Sequence, residues 1–161
     1  YYLGLQVISI LSIIPGVIFT YILPQDASGK STNKLKIITV LGSVILAILG
    51  VFLAPIVVPM IFPEYKESIS LIPILSISII PSTISSMYTS KFLGKEKSSY
   101  VVIGYIISTI VLVLGILILT EIFQVVGLAI AYVLSASVLA IFLISINYLK
   151  RSYFGEKLND G

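Results

Sequence analysis

Four hydroxyl side chains in the middle of this chain have the spacing of one helix face. Ser78, Ser82, Ser85 and Thr89 fall at i, i+4, i+7 and i+11. A hydroxyl in an apolar helix can bond to a main-chain carbonyl one turn earlier, contact a neighbouring helix, or face water. The stripe therefore predicts either helix packing or the wall of a wet cavity, in which these four residues would be candidates for substrate binding.

Other polar side chains also lie inside apolar segments. Gln6 and Ser9 share a helix face near the start of the chain, and Gln6 is the most polar side chain in any apolar segment. Both are candidates for a cavity wall. Tyr105 and Tyr132 lie about one turn inside their segments, where a phenol needs a hydrogen-bond partner, so either could face the interior of a helix bundle.

Three lysines, Lys91, Lys95 and Lys97, cluster in a short segment between two apolar runs. They are candidates for contacts with anionic lipid headgroups or with a lipid-linked pyrophosphate. The alternative is that they only set the orientation of the chain in a membrane, because Lys and Arg are concentrated in cytoplasmic loops.

No residues in the sequence form a known catalytic or metal-binding pattern. The chain has no Cys and no His, which excludes thiol chemistry, histidine acid–base catalysis and the commonest metal ligands. It also lacks paired carboxylates inside the apolar segments and a glycine-rich phosphate-binding loop. We therefore expect no enzyme activity, no metal and no cofactor.

The segments that must position these side chains are long and apolar. Five of them contain no charged residue, at about 1–23, 37–62, 69–90, 100–120 and 125–149. Each is as long as the roughly 20 residues that a transmembrane helix needs. The mean hydropathy of +1.14 argues against a soluble domain, which could not bury so much apolar surface. The sequence predicts an all-α, polytopic transmembrane helical bundle over residues 1–151, with a short cytoplasmic tail at 152–161.

Small residues line one face of three of these segments. The faces are Thr39, Ser43, Gly50 and Ala54; Gly104, Ser108 and Gly115; and Gly127, Ala131 and Ser135. Such faces permit close approach between membrane helices, so we predict that they pack. Pro73 and Pro81 interrupt the segment with the hydroxyl stripe and predict a bend there.

The charges between the segments alternate in sign along the chain. The connections at 24–36 and 91–99 and the C-terminal tail are basic, whereas those at 63–68 and 121–124 are acidic. Because cytoplasmic loops are enriched in basic residues, the pattern predicts a cytoplasmic C-terminus in a cell-membrane protein. It also explains the net charge of +3 without a nucleic-acid partner. The same topology starts the first helix outside, and position 1 is not Met, so we expect further helices of the same protein upstream.

The run LAPIVVPMIFPEYKESISLIPILSISIIPSTISSMYTSKFLGKEKSSY resembles the late part of the polysaccharide (O-antigen) flippase family, within the superfamily of the multidrug and toxin extruders. The shared features are Pro59 to Phe62, Glu64 with Tyr65, a helix with Pro73 and Pro81, and Gly94 with Lys95. Pro63 replaces the family's usual Gly. Further on, LGILILTEIFQVVGLAIAYVLSAS resembles the family's last pair of helices through Gly127, Ala129 and Ala131.

The resemblance implies that the chain is the C-terminal part of a two-bundle transporter and comprises its last five helices. Such proteins move a polyprenyl-phosphate-linked oligosaccharide or polysaccharide precursor across the cytoplasmic membrane by alternating access. The partners it implies are the lipid bilayer, this lipid-linked glycan and the missing N-terminal helices. Family members often place cationic residues in the cavity, and the five segments here contain none.

Other functions stay open at this point. A cation-coupled multidrug extruder of the same fold would need an intramembrane Asp or Glu upstream, since such carboxylates carry protons or sodium. A membrane scaffold subunit that transports nothing would have the hydroxyl stripe covered by another helix. A membrane-embedded glycosyltransferase would need interfacial carboxylates, and Glu64, Glu67 and Glu121 lack a suitable spacing.

Overall fold

The computed structural model describes residues 33–61 and 71–156, together with the isolated positions 13, 16, 17, 20 and 24. Its two continuous stretches form four α-helices, α1 (Asn33–Ile61), α2 (Leu71–Ile77), α3 (Ile79–Leu93) and α4 (Ser98–Glu156). No strand occurs among the described residues. The isolated positions are helical as well, and the Thr20 hydroxyl donates to the Gly16 carbonyl at 2.9 Å.

The long apolar helix α1 buries only a narrow face. Its 29 residues extend about 43 Å at 1.5 Å per residue. Ser43 and Ala47 are buried, whereas Phe52 is 70% exposed. Pro55 and Pro59 lie within the continuous helix and do not break it. The predicted segment 37–62 is therefore one helix, which begins slightly earlier than expected.

The predicted segment 69–90 is divided into α2 and α3 by a break at Ser78. The Ser78 N–H donates to the Leu75 carbonyl at 3.0 Å, a tighter turn than that of an α-helix. Pro73 and Pro81 lie in the first turns of α2 and α3, where a helix does not need their missing N–H groups. The predicted bend is thus present, at Ser78. We refer to residues 71–93 together as α2–α3.

The connection between α3 and α4 is shorter than the predicted loop at 91–99. The Gly94 N–H donates to the Ser90 carbonyl at 2.8 Å and the Lys97 N–H to the Phe92 carbonyl at 2.9 Å, which closes the end of α3. Glu96 has φ 56°, in the left-handed region that reverses the chain. Lys91 consequently belongs to α3, and α4 begins at Ser98.

The helix α4 folds back on itself at Gln124, which has φ 51° and ψ −127°. We call residues 98–123 the first arm and residues 125–156 the second arm. A Cβ at Gly127 would overlap the main-chain carbonyl of Leu119, so this close turn requires glycine. The predicted acidic connection at 121–124 is therefore a break of a single residue between two helical arms.

The two arms pack against each other in opposite directions. Near the turn, a Cβ at Gly115 would lie 3.0 Å from the Ala131 Cβ. Farther along, the Ser108 hydroxyl donates to the Ser135 carbonyl at 2.9 Å. The small-residue faces that were predicted to pack do meet here, and α4 is an antiparallel helical hairpin.

Both the hairpin and α1 pack against α2–α3. Near the start of α2–α3, Leu75 clusters with Ala129. Near its end, Lys91 contacts Asn147. Because both sequence numbers increase together, α2–α3 and the second arm run in the same direction.

Three helical segments among the described residues are long and apolar enough to cross a membrane: Lys36–Leu53, Leu71–Leu93 and Ser98–Leu149. The fold therefore agrees with an all-α membrane protein. The first predicted segment, 1–23, lies outside the described residues except for isolated positions, and so does the connection at 63–68. The second arm remains helical to Glu156, into the region predicted as a tail.

Candidate binding cleft

A cleft with a volume of about 290 Å³ lies between α3 and the two arms of the hairpin. Its walls are formed by Ser82, Ser85, Ser86, Tyr105, Ser108, Thr109, Leu112, Tyr132, Ser135, Ala136 and Leu139. Eight of these eleven side chains carry a hydroxyl, and none carries a charge. We call this site the hydroxyl cleft.

The hydroxyl cleft lies near the middle of every helix that forms it. Ser82 is at the centre of the apolar segment Leu71–Leu93. Thr109 is close to the centre of the first arm, and Ala136 is close to the centre of the apolar part of the second arm. Hydroxyl groups at such a depth are concentrated where helices face one another rather than hydrocarbon.

Three of the cleft hydroxyls donate to main-chain carbonyls. Ser85 donates to Pro81 at 2.6 Å, and Ser135 donates to Tyr132 at 2.9 Å. Ser108 donates across the hairpin to Ser135. These bonds satisfy the donors and leave the oxygens able to accept. For the other five hydroxyls, no hydrogen bond is found within the described part of the chain.

The predicted hydroxyl stripe is only partly in this cleft. Ser82 and Ser85 line it, whereas Ser78 and Thr89 do not. The Ser78 side chain is 2% exposed and donates to the Leu75 carbonyl at 2.6 Å. Thr89 is also buried, and its hydroxyl has no partner among the described residues. The ends of the stripe thus lie outside the cleft, whereas the half-buried Ser82 and the buried Ser85 line it.

Two apolar clusters lie between α2–α3 and the hairpin, one toward each end of α2–α3. One joins Leu71 and Leu75 to Ala129 near the start of α2–α3. The other joins Phe92, Val101, Leu139 and Leu143 near its end. The cleft adjoins both clusters, because Tyr132, which packs against the first, and Leu139, a member of the second, also line it.

The lysine cluster is divided between the helix end and the following turn. The Lys91 ammonium donates to the Asn147 side-chain oxygen at 2.7 Å and lies 5.9 Å from the centre of the Tyr88 ring, within the range of a cation–π contact. Lys95 is exposed and Lys97 is half-buried. Lys91 thus joins α3 to the second arm, and contact of the three lysines with a headgroup stays a prediction.

A second row of hydroxyls, Ser76, Thr83 and Ser90, repeats every seven residues along α2–α3. Each is at most 1% exposed. A Cβ at Gly50 of α1 would overlap the Ser76 side chain, so α1 approaches this row closely. The Thr83 and Ser90 hydroxyls have no hydrogen-bond partner within the described residues. Because the three residues share one side of α2–α3 and α1 also contacts α3, we infer that the row faces α1, and we call it the α1 face.

The hydroxyl cleft also contains residues that were not among the predicted substrate-binding residues. Tyr105 and Tyr132 were candidates for a bundle interior, and both line the hydroxyl cleft. Ser86 and Thr109 were not predicted as site residues, although Ser86 follows Ser82 by one helical turn. The candidates Gln6 and Ser9 lie outside the described residues.

The chemistry available to the hydroxyl cleft is neutral hydrogen bonding. No group of three His, Cys, Asp or Glu residues that could hold a metal ion occurs in the described ranges. No family model, curated protein or solved structure matches this chain. The cleft can accept a polar, uncharged ligand or water, with apolar contacts from Leu112 and Leu139.

Proposed function

We propose that this chain is part of a membrane transporter that moves a lipid-linked oligosaccharide or polysaccharide precursor across the cytoplasmic membrane by alternating access. The observation that carries the proposal is the uncharged hydroxyl cleft at mid-depth between three helices. Substrate sites of transporters lie near the bilayer midplane, between packed helices. The sequence resemblance to polysaccharide flippases supports the same function.

In this proposal the chain crosses the membrane five times and forms the C-terminal part of a two-bundle transporter. The 52 residues of Ser98–Leu149 would extend about 78 Å as one straight helix, far more than the roughly 30 Å of a hydrocarbon core. Folded at Gln124, the two arms supply two crossings. With α1, α2–α3 and the predicted segment 1–23, the total is five. The basic connections then lie in the cytoplasm, with the C-terminus.

The hydroxyls that line the cleft favour transport over a scaffold role. A scaffold subunit would have the stripe occupied by a neighbouring helix, as the α1 face is. Ser82, Ser85 and Ser86 instead line a cleft. A cation-coupled extruder of the same fold would need an intramembrane Asp or Glu in the upstream helices, since Glu121, near the hairpin turn, is the only carboxylate in the described segments of membrane-spanning length.

The proposal is tested by deleting the full-length gene in its host. We expect lipid-linked oligosaccharide to accumulate on the inner leaflet and surface glycan to be lost, as measured by mass spectrometry and glycan staining. Unchanged glycan with new drug sensitivity would move the assignment to an extruder. Neither change would favour a scaffold.

Complementation of the deletion tests the role of the cleft. Ser86→Leu fills the cleft from a residue with no hydrogen bond described, so we expect it to be made and inserted but not to restore surface glycan. The matched control is Ser145→Leu, because Ser145 is exposed and donates only within its own helix, to Ile141 at 2.8 Å. Full restoration of surface glycan by Ser86→Leu would show that transport does not need the cleft.

A further inference from the structure

We propose that the hydroxyl cleft holds one uncharged sugar ring of the transported glycan and excludes its phosphate groups. This inference rests on the proposed function and names the part of the substrate that the site accepts. It follows from three properties of the cleft, which are its charge, its hydrogen-bonding groups and its size.

The absence of charged residues from the cleft wall argues against a bound phosphate. No Asp, Glu, Lys or Arg is among its described wall residues. A charge held at the bilayer midplane costs several kcal/mol unless it is paired or hydrated. The described cations nearest in sequence, Lys91, Lys95 and Lys97, lie at the end of α3 and in the turn that follows it, and Lys91 is bonded to Asn147. A pyrophosphate would therefore have to stay outside this cleft.

The hydrogen-bonding groups of the cleft match those of a sugar. Ser85, Ser108 and Ser135 present oxygens whose own protons are already donated, so they accept. Ser86 and Thr109 can both donate and accept. A sugar hydroxyl can also donate and accept, so it can form a hydrogen bond with either kind of cleft hydroxyl. A hydrocarbon ligand would leave these hydroxyls unsatisfied.

The size and shape of the cleft match a single ring. A volume of about 290 Å³ is at the lower end of the roughly 300–1,000 Å³ of small-molecule sites. Tyr105 and Tyr132 come from different arms and supply apolar ring surface together with a phenol hydroxyl. Sugar rings have polar edges and apolar C–H faces, and this combination suits both. A chain of several sugars would have to extend beyond the cleft.

Ligand binding to the purified full-length protein tests the inference. Saturation-transfer NMR in lipid nanodiscs would compare methyl β-D-glucopyranoside and N-acetylglucosamine with glucose 1-phosphate and glucuronate. We expect signal from the two neutral sugars and loss of it for the two anions. Ser86→Leu and Tyr132→Phe should abolish or weaken the neutral signal, and Ser145→Leu should leave it unchanged.

The results that overturn the inference differ from those that overturn the transport proposal. Equal or stronger binding of glucose 1-phosphate, unchanged binding in Ser86→Leu, or no binding of any sugar would refute a neutral-sugar site. If the deletion strain still accumulates lipid-linked oligosaccharide on the inner leaflet, the flippase proposal stands even though the neutral-sugar site is refuted. Conversely, the purified protein could bind neutral sugars through Ser86 while the deletion strain exports glycan normally. That result would support the sugar site and refute the flippase proposal.

Discussion

The segment α2–α3 carries hydroxyl groups on two sides, and the two sides have different neighbours. On the α1 face, Ser76, Thr83 and Ser90 are at most 1% exposed and packed closely. On the other side, Ser82 and Ser86 are half-buried and line a cleft of about 290 Å³. The same residue types thus form a dry helix contact on one side and a polar cavity wall on the other.

The difference arises from the side chains that face the hydroxyls. Opposite Ser76, α1 presents Gly50, and the absence of a side chain lets the helices approach closely. On the side of Ser82 and Ser86, the hairpin contributes Tyr105 and Tyr132 to the cleft wall. A glycine thus accompanies the close contact, and two tyrosines accompany the cleft.

Among the substitutions that test this difference between the two sides, Gly50→Ala is expected to change stability most. The new Cβ would overlap the Ser76 side chain and lie 2.7 Å from its Cβ. We expect it to force α1 away and to destabilise the protein by about 1–3 kcal/mol, as overpacking does. Thermal unfolding of the purified protein in mild detergent would measure the loss.

Two variants serve as controls for Gly50→Ala. Gly42→Ala, in the same helix, adds a Cβ that meets nothing within 4 Å, so it should not destabilise. Adding Ser76→Gly to Gly50→Ala should restore part of the lost stability by removing the overlap. If Gly42→Ala and Gly50→Ala behave alike, α1 does not pack closely on α2–α3.

A smaller effect, with the opposite sign, is expected for Thr83→Val. The Thr83 hydroxyl is fully buried and has no partner among the described residues, so removing it relieves the cost of an unpaired buried group. We expect a gain of about 1 kcal/mol in the same unfolding assay. Thr109→Val, in the cleft, should change stability by less than about 0.5 kcal/mol. A loss of stability in Thr83→Val would indicate a partner, such as water, on the α1 face.

The smallest effect is expected where Lys91 joins α3 to the second arm. Lys91→Met removes the hydrogen bond to Asn147, and such interhelical bonds contribute about 0.6 kcal/mol on average. Lys95→Met, in the exposed turn, is the control and should have no effect. A double-mutant cycle with Asn147→Leu would measure the coupling. No coupling would mean that the apolar cluster around Phe92 alone closes this end of the cleft.

Much of the fold could be predicted from the sequence, because apolar length and charge are local properties. The segments at 37–62, 69–90, 100–120 and 125–149 correspond to α1, to α2–α3 and to the two arms. The break at Gln124 falls in the predicted connection. The break at Ser78 falls between two prolines that predicted a bend. Five crossings and membership of a transporter family stay predictions.

The site was harder to predict, because it depends on which helices meet. Ser78 and Ser82 belong to one periodic stripe, and nothing in their spacing shows that only the second lines the cleft. Ser108 and Ser135 were expected to pack, and they do, yet they also line the cleft. The α1 face has as regular a spacing as the stripe, and only the approach of Gly50 distinguishes the two.

The most direct test of a polar cleft on one side and a dry contact on the other is cysteine labelling in membranes. The chain contains no Cys, so Ser86→Cys and Thr83→Cys each introduce one thiol into these 161 residues. With a small water-soluble thiol reagent, we predict modification of Ser86→Cys in the native protein and of Thr83→Cys only after denaturation. Comparable native labelling at both positions, or protection of Ser86→Cys until denaturation, would contradict the account.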